Sequence, residues 1–150
     1  FNEIYHFAGE IRDVNLAKRN FRFAPVMYLK PALEHIDNMP QSTFEEIIAA
    51  TEYGLFAKKM GGGSVNPITG EFNFNVQEGY LIENGKITKP VRGCTLVGSG
   101  AEVLMNIDMI GNNLSTGHGM CGSASGSIPT DVGQPTIRVS SMTVGGRGSK

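Results

Sequence analysis

The stretch Tyr80-Leu81-Ile82-Glu83-Asn84-Gly85-Lys86-Ile87-Thr88 constrains this chain more than any other. Asn-Gly between two apolar runs calls for a type I′ turn, because both central residues of that turn need positive φ. Just before it, Glu71 to Gln77 alternates strictly, with Phe72, Phe74 and Val76 on one side. A period of two is the mark of a half-buried strand. Together these features commit the middle of the chain to a mostly antiparallel sheet.

Other elements follow from capping and periodicity. Ser42-Thr43-Phe44-Glu45 fits a capping box, in which a hydroxyl and a carboxylate satisfy first-turn amides. Phe44, Ile47, Ile48 and Leu55 then recur at helical spacing, and Gly54 supplies a stop. The spacing predicts a helix from about Thr43 to Tyr53. Ser99-Gly100-Ala101-Glu102 repeats the box, and Val103, Leu104, Ile107 and Ile110 form an apolar face behind it. A second helix is expected over about 100–110, ended by Gly111-Asn112-Asn113. Cys94 to Val97 reads as a strand. Thr136 to Val144 reads as another, with a phase change at Ser140-Ser141 that implies a bulge or a crossing between sheets. Near the start, Tyr5–Phe7 and Phe21–Phe23 suggest short strands, and Pro31 to His35 one helical turn. The expectation is an α+β fold in one domain of 150 residues.

Composition sets outer bounds. Hydrophobic residues make up 40% of the chain, enough for a packed core. The net charge of -1, without a basic stripe, argues against nucleic-acid binding. No apolar run is long enough to span a bilayer. Two cysteines do not make a secreted disulfide framework, so a reducing cytoplasm is expected. The chain begins Phe1-Asn2-Glu3, which suggests processing or a piece of a longer protein.

Chemistry concentrates in the Gly- and Ser-rich segment 111–129, read as a site loop. It holds Gly117-His118-Gly119-Met120-Cys121-Gly122-Ser123. A thiol there can be a metal ligand, a nucleophile or a small buried hydrophobe. His118 lies three positions from Cys121, a spacing that a turn could fold onto one metal; equally, it could be a solvent-exposed loop residue. A catalytic zinc needs about three protein ligands, so this pair alone does not suffice. A Cys-His nucleophile pair lacks a residue to orient the imidazole, since Asp108 and Glu102 read as a solvated helix face. Cys94, in an apolar strand, reads as inert core. Gly61-Gly62-Gly63-Ser64-Val65 is too short for a phosphate loop. It fits a flexible turn, or a bare edge against which an extended peptide could lie. The residues by themselves do not reach a reaction.

An ordered set of motifs goes further. Glu71-Phe72-Asn73-Phe74, Glu78 to Val91, Leu96-Val97-Gly98-Ser99-Gly100, Gly111-Asn112, Cys121-Gly122, Gly133-Gln134-Pro135-Thr136 and Thr143-Val144-Gly145-Gly146 occur in sequence. The set resembles the C-terminal part of TldD/PmbA family proteins, historically called modulators of DNA gyrase. The similarity runs from about Thr43 to Gly146 and weakens before it.

The resemblance implies a cytoplasmic zinc metallopeptidase that works as a pair of related subunits, homo- or heterodimeric. Zinc would be held by a His-Glu-x-x-x-His helix and a distant Cys, and Cys121 matches that Cys. The Glu of the helix would be the general base. Substrates would be unfolded or extended peptides taken as an added strand in a cleft. Gly61, Gly62, Gly63, Ser64 and Val65 are candidates for its wall, and His118, Gly119 and Met120 for its surroundings. Non-catalytic partner subunits lack the Cys and carry Tyr-Ser-Arg-Gly before the hairpin, where this chain has Phe74 to Gly79. That places it on the catalytic side, the alternative being a non-catalytic partner or peptide-binding domain. The His-Glu-x-x-x-His helix is absent from these residues. The chain is therefore expected to be the C-terminal part of a longer protein, with no catalytic residue of its own, an incomplete zinc site and no activity alone. Ser123-Ala124-Ser125-Gly126 also replaces the family's Gly-Lys and Gly-Gln after the Cys, a change expected to alter metal affinity or substrate choice.

Overall fold

The alternating segment becomes the spine of the molecule. The computed structural model describes residues 34–123 and 126–146. The strands expected at Tyr5–Phe7 and Phe21–Phe23 lie outside them. A helical stretch at 34–37 matches the end of the expected turn at Pro31–His35. The remaining elements run β1 (Gln41–Ser42), α1 (Phe44–Ala49), β2 (Tyr53–Val65), β3 (Glu71–Glu83), β4 (Lys86–Val91), β5 (Cys94–Ser99), α2 (Gly100–Met105), β6 (Ile107–Gly111), β7 (Ser115–Ser123), β8 (Gly126–Gln134), β9 (Ile137–Val139) and β10 (Thr143–Gly146). The α+β class holds, with a mixed and mostly antiparallel arrangement.

Three sheets result. The largest has the order β10-β5-β3-β2, with β4 also on β3. A second has the order β1-β6-β9, in which β1 and β6 are parallel. The third is the ribbon β7-β8. In β3, Phe72, Phe74 and Val76 all point inward, where Cys94 and Leu96 of β5 and Val103 of α2 meet them. Burying an aromatic or branched side chain contributes about 1.5–3 kcal/mol, so this row is the main source of stability. Leu104, Ile107 and Ile110 form a second core, and Val139 packs against both.

The hairpin forms as expected. Asn84 and Gly85 have φ of 53° and 71°, and Glu83 pairs with Lys86. The turn also docks on α1: the Gly85 amide donates to the Thr51 carbonyl at 3.0 Å. A Cβ on Gly85 would sit 2.8 Å from the Ala49 carbonyl oxygen, so glycine is required there twice over.

Both helices are shorter than predicted, and each stops where strand pairing begins. The capping box of α1 is Thr43 with Glu46, one residue later than Ser42 with Glu45. Ser42 is committed to β1, where its carbonyl accepts the Asn112 amide at 2.9 Å. Helix α1 ends at Ala49, and Leu55 pairs with Leu81 in the sheet instead of completing a helical stripe. A strand of thirteen residues paired along β3 outweighs one more helical turn. At Ser99 the hydroxyl accepts the Glu102 amide, and α2 then ends at Met105. Ile107 and Ile110 are buried as expected, but on a strand. Three positions apart on a regular strand they would face opposite ways. A register shift between Ile107 and Met109 turns both into one core. The phase change at Ser140-Ser141 is a sheet crossing, with β9 in one sheet and β10 in another.

The expected site loop 111–129 is largely not a loop. Ser115–Ser123 pairs in continuous register with Gly126–Gln134, from Ser115 with Gln134 to Ser123 with Gly126. Backbone pairing needs no bulky side chain, so a Gly- and Ser-rich composition does not preclude a ladder. Pro129 is tolerated because each strand of a two-stranded ribbon is an edge.

Candidate functional site

In an antiparallel ladder, residues directly opposite share a face and successive residues alternate. His118 lies opposite Asp131 and Met120 opposite Pro129, so these four share one face of the ribbon. Cys121 lies opposite Ile128, and Gly119 opposite Thr130; they share the other. His118 and Cys121 therefore point to opposite sides. The spacing of three would bring them together in a turn but separates them on a strand. Among the described residues no group of three or more His, Cys, Asp or Glu side chains could hold a metal.

Cys121 is a free, half-buried thiol. On its face Ile128 lies directly opposite, and the neighbouring pair is Gly119, which offers no side chain, with Thr130. Ile128 is 61% exposed and Met120 on the reverse face 66% exposed, which is unusual for apolar side chains on a two-stranded ribbon. A soft thiolate suits zinc as one ligand among several. The described residues therefore fit zinc as the donors of a single ligand, not as a complete site. Cys94 is also free but only 4% exposed, inside the main core, as expected of an inert cysteine.

Gly61 to Val65 forms the end of β2, not a turn. Met60 pairs with Val76 and Gly63 with Phe74, so one extra residue bulges out of β2 between them. Gly62 has open space where a Cβ would be, whereas a Cβ on Gly63 would collide with the Asn73 carbonyl and the Phe74 ring. Ser64 and Val65 line a cleft of about 650 Å³ with Phe72, Asn73, Val97 and Glu102. Strand β2 is terminal in its sheet, so its outer backbone groups face away from β3. The cleft and the Cys121 ribbon are built on different sheets.

Sequence reasoning missed the groups that hold the ribbon at its root. The Asn113 side chain accepts the Thr136 amide at 3.0 Å and donates to the Thr136 hydroxyl at 2.9 Å. Arg138, two residues on, makes a two-pronged contact with Asp108, at 2.8 Å for each prong, and donates to the Ala50 carbonyl at 2.9 Å. The Asp108 carboxylate holds the Arg138 guanidinium above its ordinary pKa. Asp108 is thus exposed, as expected, but as an ion-pair partner on a bulged strand and not on a helix. No local motif announces either contact, because both partners are distant in sequence.

Elsewhere on the main sheet, Lys58 donates to Glu78 at 2.7 Å and the Tyr80 hydroxyl donates to the same oxygen at 2.8 Å. The Lys58 hydrogen bond, then that of Tyr80, lowers the Glu78 pKa, and Glu78 in turn raises those of Lys58 and Tyr80. Among the described residues no helix is long and apolar enough to cross a membrane.

Comparison with known proteins places this architecture. The family model described as the PmbA/TldA metallopeptidase C-terminal domain matches residues 18–146. The metalloprotease TldD homolog of Haemophilus influenzae is 47% identical over 108 residues, covering 71% of this chain and 22% of that protein. The zinc metalloprotease TldD homolog of Saccharolobus solfataricus is 28% identical over 119 residues, covering 79% of this chain and 25% of that protein. A putative modulator of DNA gyrase from Thermotoga maritima shares the fold, with a TM-score of 0.58 at 24% identity over 71% of this chain and 22% of that one. The chain thus spans about a fifth to a quarter of the length of these relatives. It belongs to the TldD/PmbA family of metallopeptidases, within which it corresponds to the C-terminal domain.

Proposed function

We propose that this domain supplies one zinc ligand, the Cys121 thiolate, to the peptidase centre of a longer TldD-type protein. The observation that carries the reading is the isolation of Cys121: a free, half-buried thiol turned away from His118. A thiol so placed can serve a metal only with ligands from outside the described residues, and the relatives are about three times as long as this chain, the 108 matched residues making up 22% of one of them. The zinc metalloprotease name of one relative supports the choice of metal.

Bound zinc supplies Lewis-acid polarisation of a carbonyl and a water of lowered pKa. This chain's own groups do two things. Cys121 loses its proton and presents sulfur from a strand whose pairing fixes its face. The β2 edge, ending at Ser64 and Val65 beside the cleft, offers backbone groups to an unfolded or extended peptide. The general base and the remaining ligands come from the rest of the protein, which pairs with a related subunit in a reducing cytoplasm.

The test uses the full-length protein. Cys121→Ser is expected to lower peptide cleavage by about a hundredfold or more with the fold retained, since each 1.4 kcal/mol of lost transition-state stabilisation is about tenfold in rate. Undiminished cleavage would overturn the reading. Peptide binding without cleavage and without metal dependence in the wild type would instead identify a non-catalytic partner.

A further inference from the structure

We infer that Asn113 is the positioning residue for Cys121, acting at the root of the ribbon. The inference rests on the reading of Cys121 as a metal ligand. Asn113 and Thr136 flank the ribbon, each two residues outside the Ser115–Gln134 pair. The Asn113 amide accepts the Thr136 N–H at 3.0 Å and donates to Thr136 Oγ1 at 2.9 Å. One side chain thus closes a ring across the base and continues the ladder past its last backbone pair. Beside it, the Gly111 amide donates to the Thr136 carbonyl at 2.6 Å. A Cβ on Gly111 would collide with Asn113 Oδ1, so the glycine makes room for the clamp.

Leverage explains why the root matters. Six steps of strand separate Ser115 from Cys121, roughly 20 Å at 3.4 Å per residue, so a tilt of about 5° at the root moves the sulfur by about 2 Å. Metal–ligand distances tolerate about 0.2 Å. A two-stranded ribbon is not stiff enough alone to hold such a tolerance, because isolated hairpins are only marginally stable. The clamp is exposed, so it adds little to global stability. What it sets is the angle at which the ribbon leaves β6 and enters β9.

The test loads the full-length protein with cobalt(II) and reads the thiolate-to-cobalt charge-transfer band and the cobalt affinity, with a thermal melt for every variant. Cys121→Ser should abolish the band. Asn113→Ala should lower cobalt affinity about tenfold or more, the usual effect of losing a residue that orients a ligand, with the melt little changed. Asn113→Asp should restore most of the band, since its carboxylate still accepts both the Thr136 N–H and the Thr136 O–H. A wild-type band and affinity in Asn113→Ala, with the band lost in Cys121→Ser, would overturn the positioning role and leave the ligand intact. A band retained in Cys121→Ser would overturn the ligand reading and this inference with it. Should Asn113→Ala not fold, Thr136→Val decides the matter: a weakened band supports the clamp, and a wild-type band refutes it.

Discussion

The two cysteines sit in contrasting regions. Cys94 is buried in the main core with Phe74, Leu96 and Val103, on a strand held from both sides by β3 and β10. Cys121 rides the β7-β8 ribbon, in which β7 pairs with β8 alone among the described residues, and it is half-buried, with Ile128 and Met120 exposed around it. The main body holds its shape by burying side chains. The ribbon holds its shape by backbone pairing and by hydrogen bonds at its root, and it leaves apolar surface uncovered. Stability and candidate function are therefore separated in space: the ribbon can change without unfolding the body.

That separation is open to direct attack by mutation. The largest effect should come from the body: Phe74→Ala is expected to cost about 3–5 kcal/mol in denaturant unfolding, the usual loss for a buried phenylalanine. An effect under about 1 kcal/mol would show that this row is not the core. Next, Cys94→Ser should cost about 1–3 kcal/mol, because it buries a hydroxyl among apolar groups, whereas Cys121→Ser in the same domain should stay within about 0.5 kcal/mol. Equal costs for the two would erase the contrast. Gly85→Ala should cost about 1 kcal/mol or more, from the positive φ and the crowded Ala49 carbonyl. On the ribbon, Met120→Ala should change the unfolding midpoint hardly at all, since its side chain is largely in solvent.

The smallest effect concerns pH. Glu78 has its pKa lowered by Lys58 and Tyr80, so its contribution to stability is present above the unfolded carboxylate value of about 4.3 and is lost as pH falls through the lower folded value. Because the pair is exposed, salt should weaken the effect. Stability curves of wild type and Glu78→Gln should converge at low pH. Curves that stay parallel to the acid limit would remove the pair from the account.

How far the sequence reveals this arrangement depends on whether the signal is local. The Asn84-Gly85 hairpin, the Phe72-Phe74-Val76 face and the crossing at Ser140-Ser141 are legible because turn chemistry and alternation act over a few residues. Helix ends are less so: Thr43 takes the cap from Ser42, and Ile107 leaves the helix, because distant strands claim those backbones. The ribbon is the instructive miss. Thr116, His118 and Met120 alternate with glycines and Cys121, a period-two pattern, but glycine abundance masks it as a loop. Cys121 itself stands out through family resemblance. Its separation from His118 becomes visible only once the segment is known to be a strand. Asn113 with Thr136, and Arg138 with Asp108, leave no local trace at all.

Zinc-edge X-ray absorption on the full-length protein decides whether Cys121 is the zinc ligand proposed above. One sulfur neighbour per zinc at about 2.3 Å is expected in the wild type, absent in Cys121→Ser. A zinc centre without sulfur in the wild type, or a sulfur shell that survives Cys121→Ser, would contradict it.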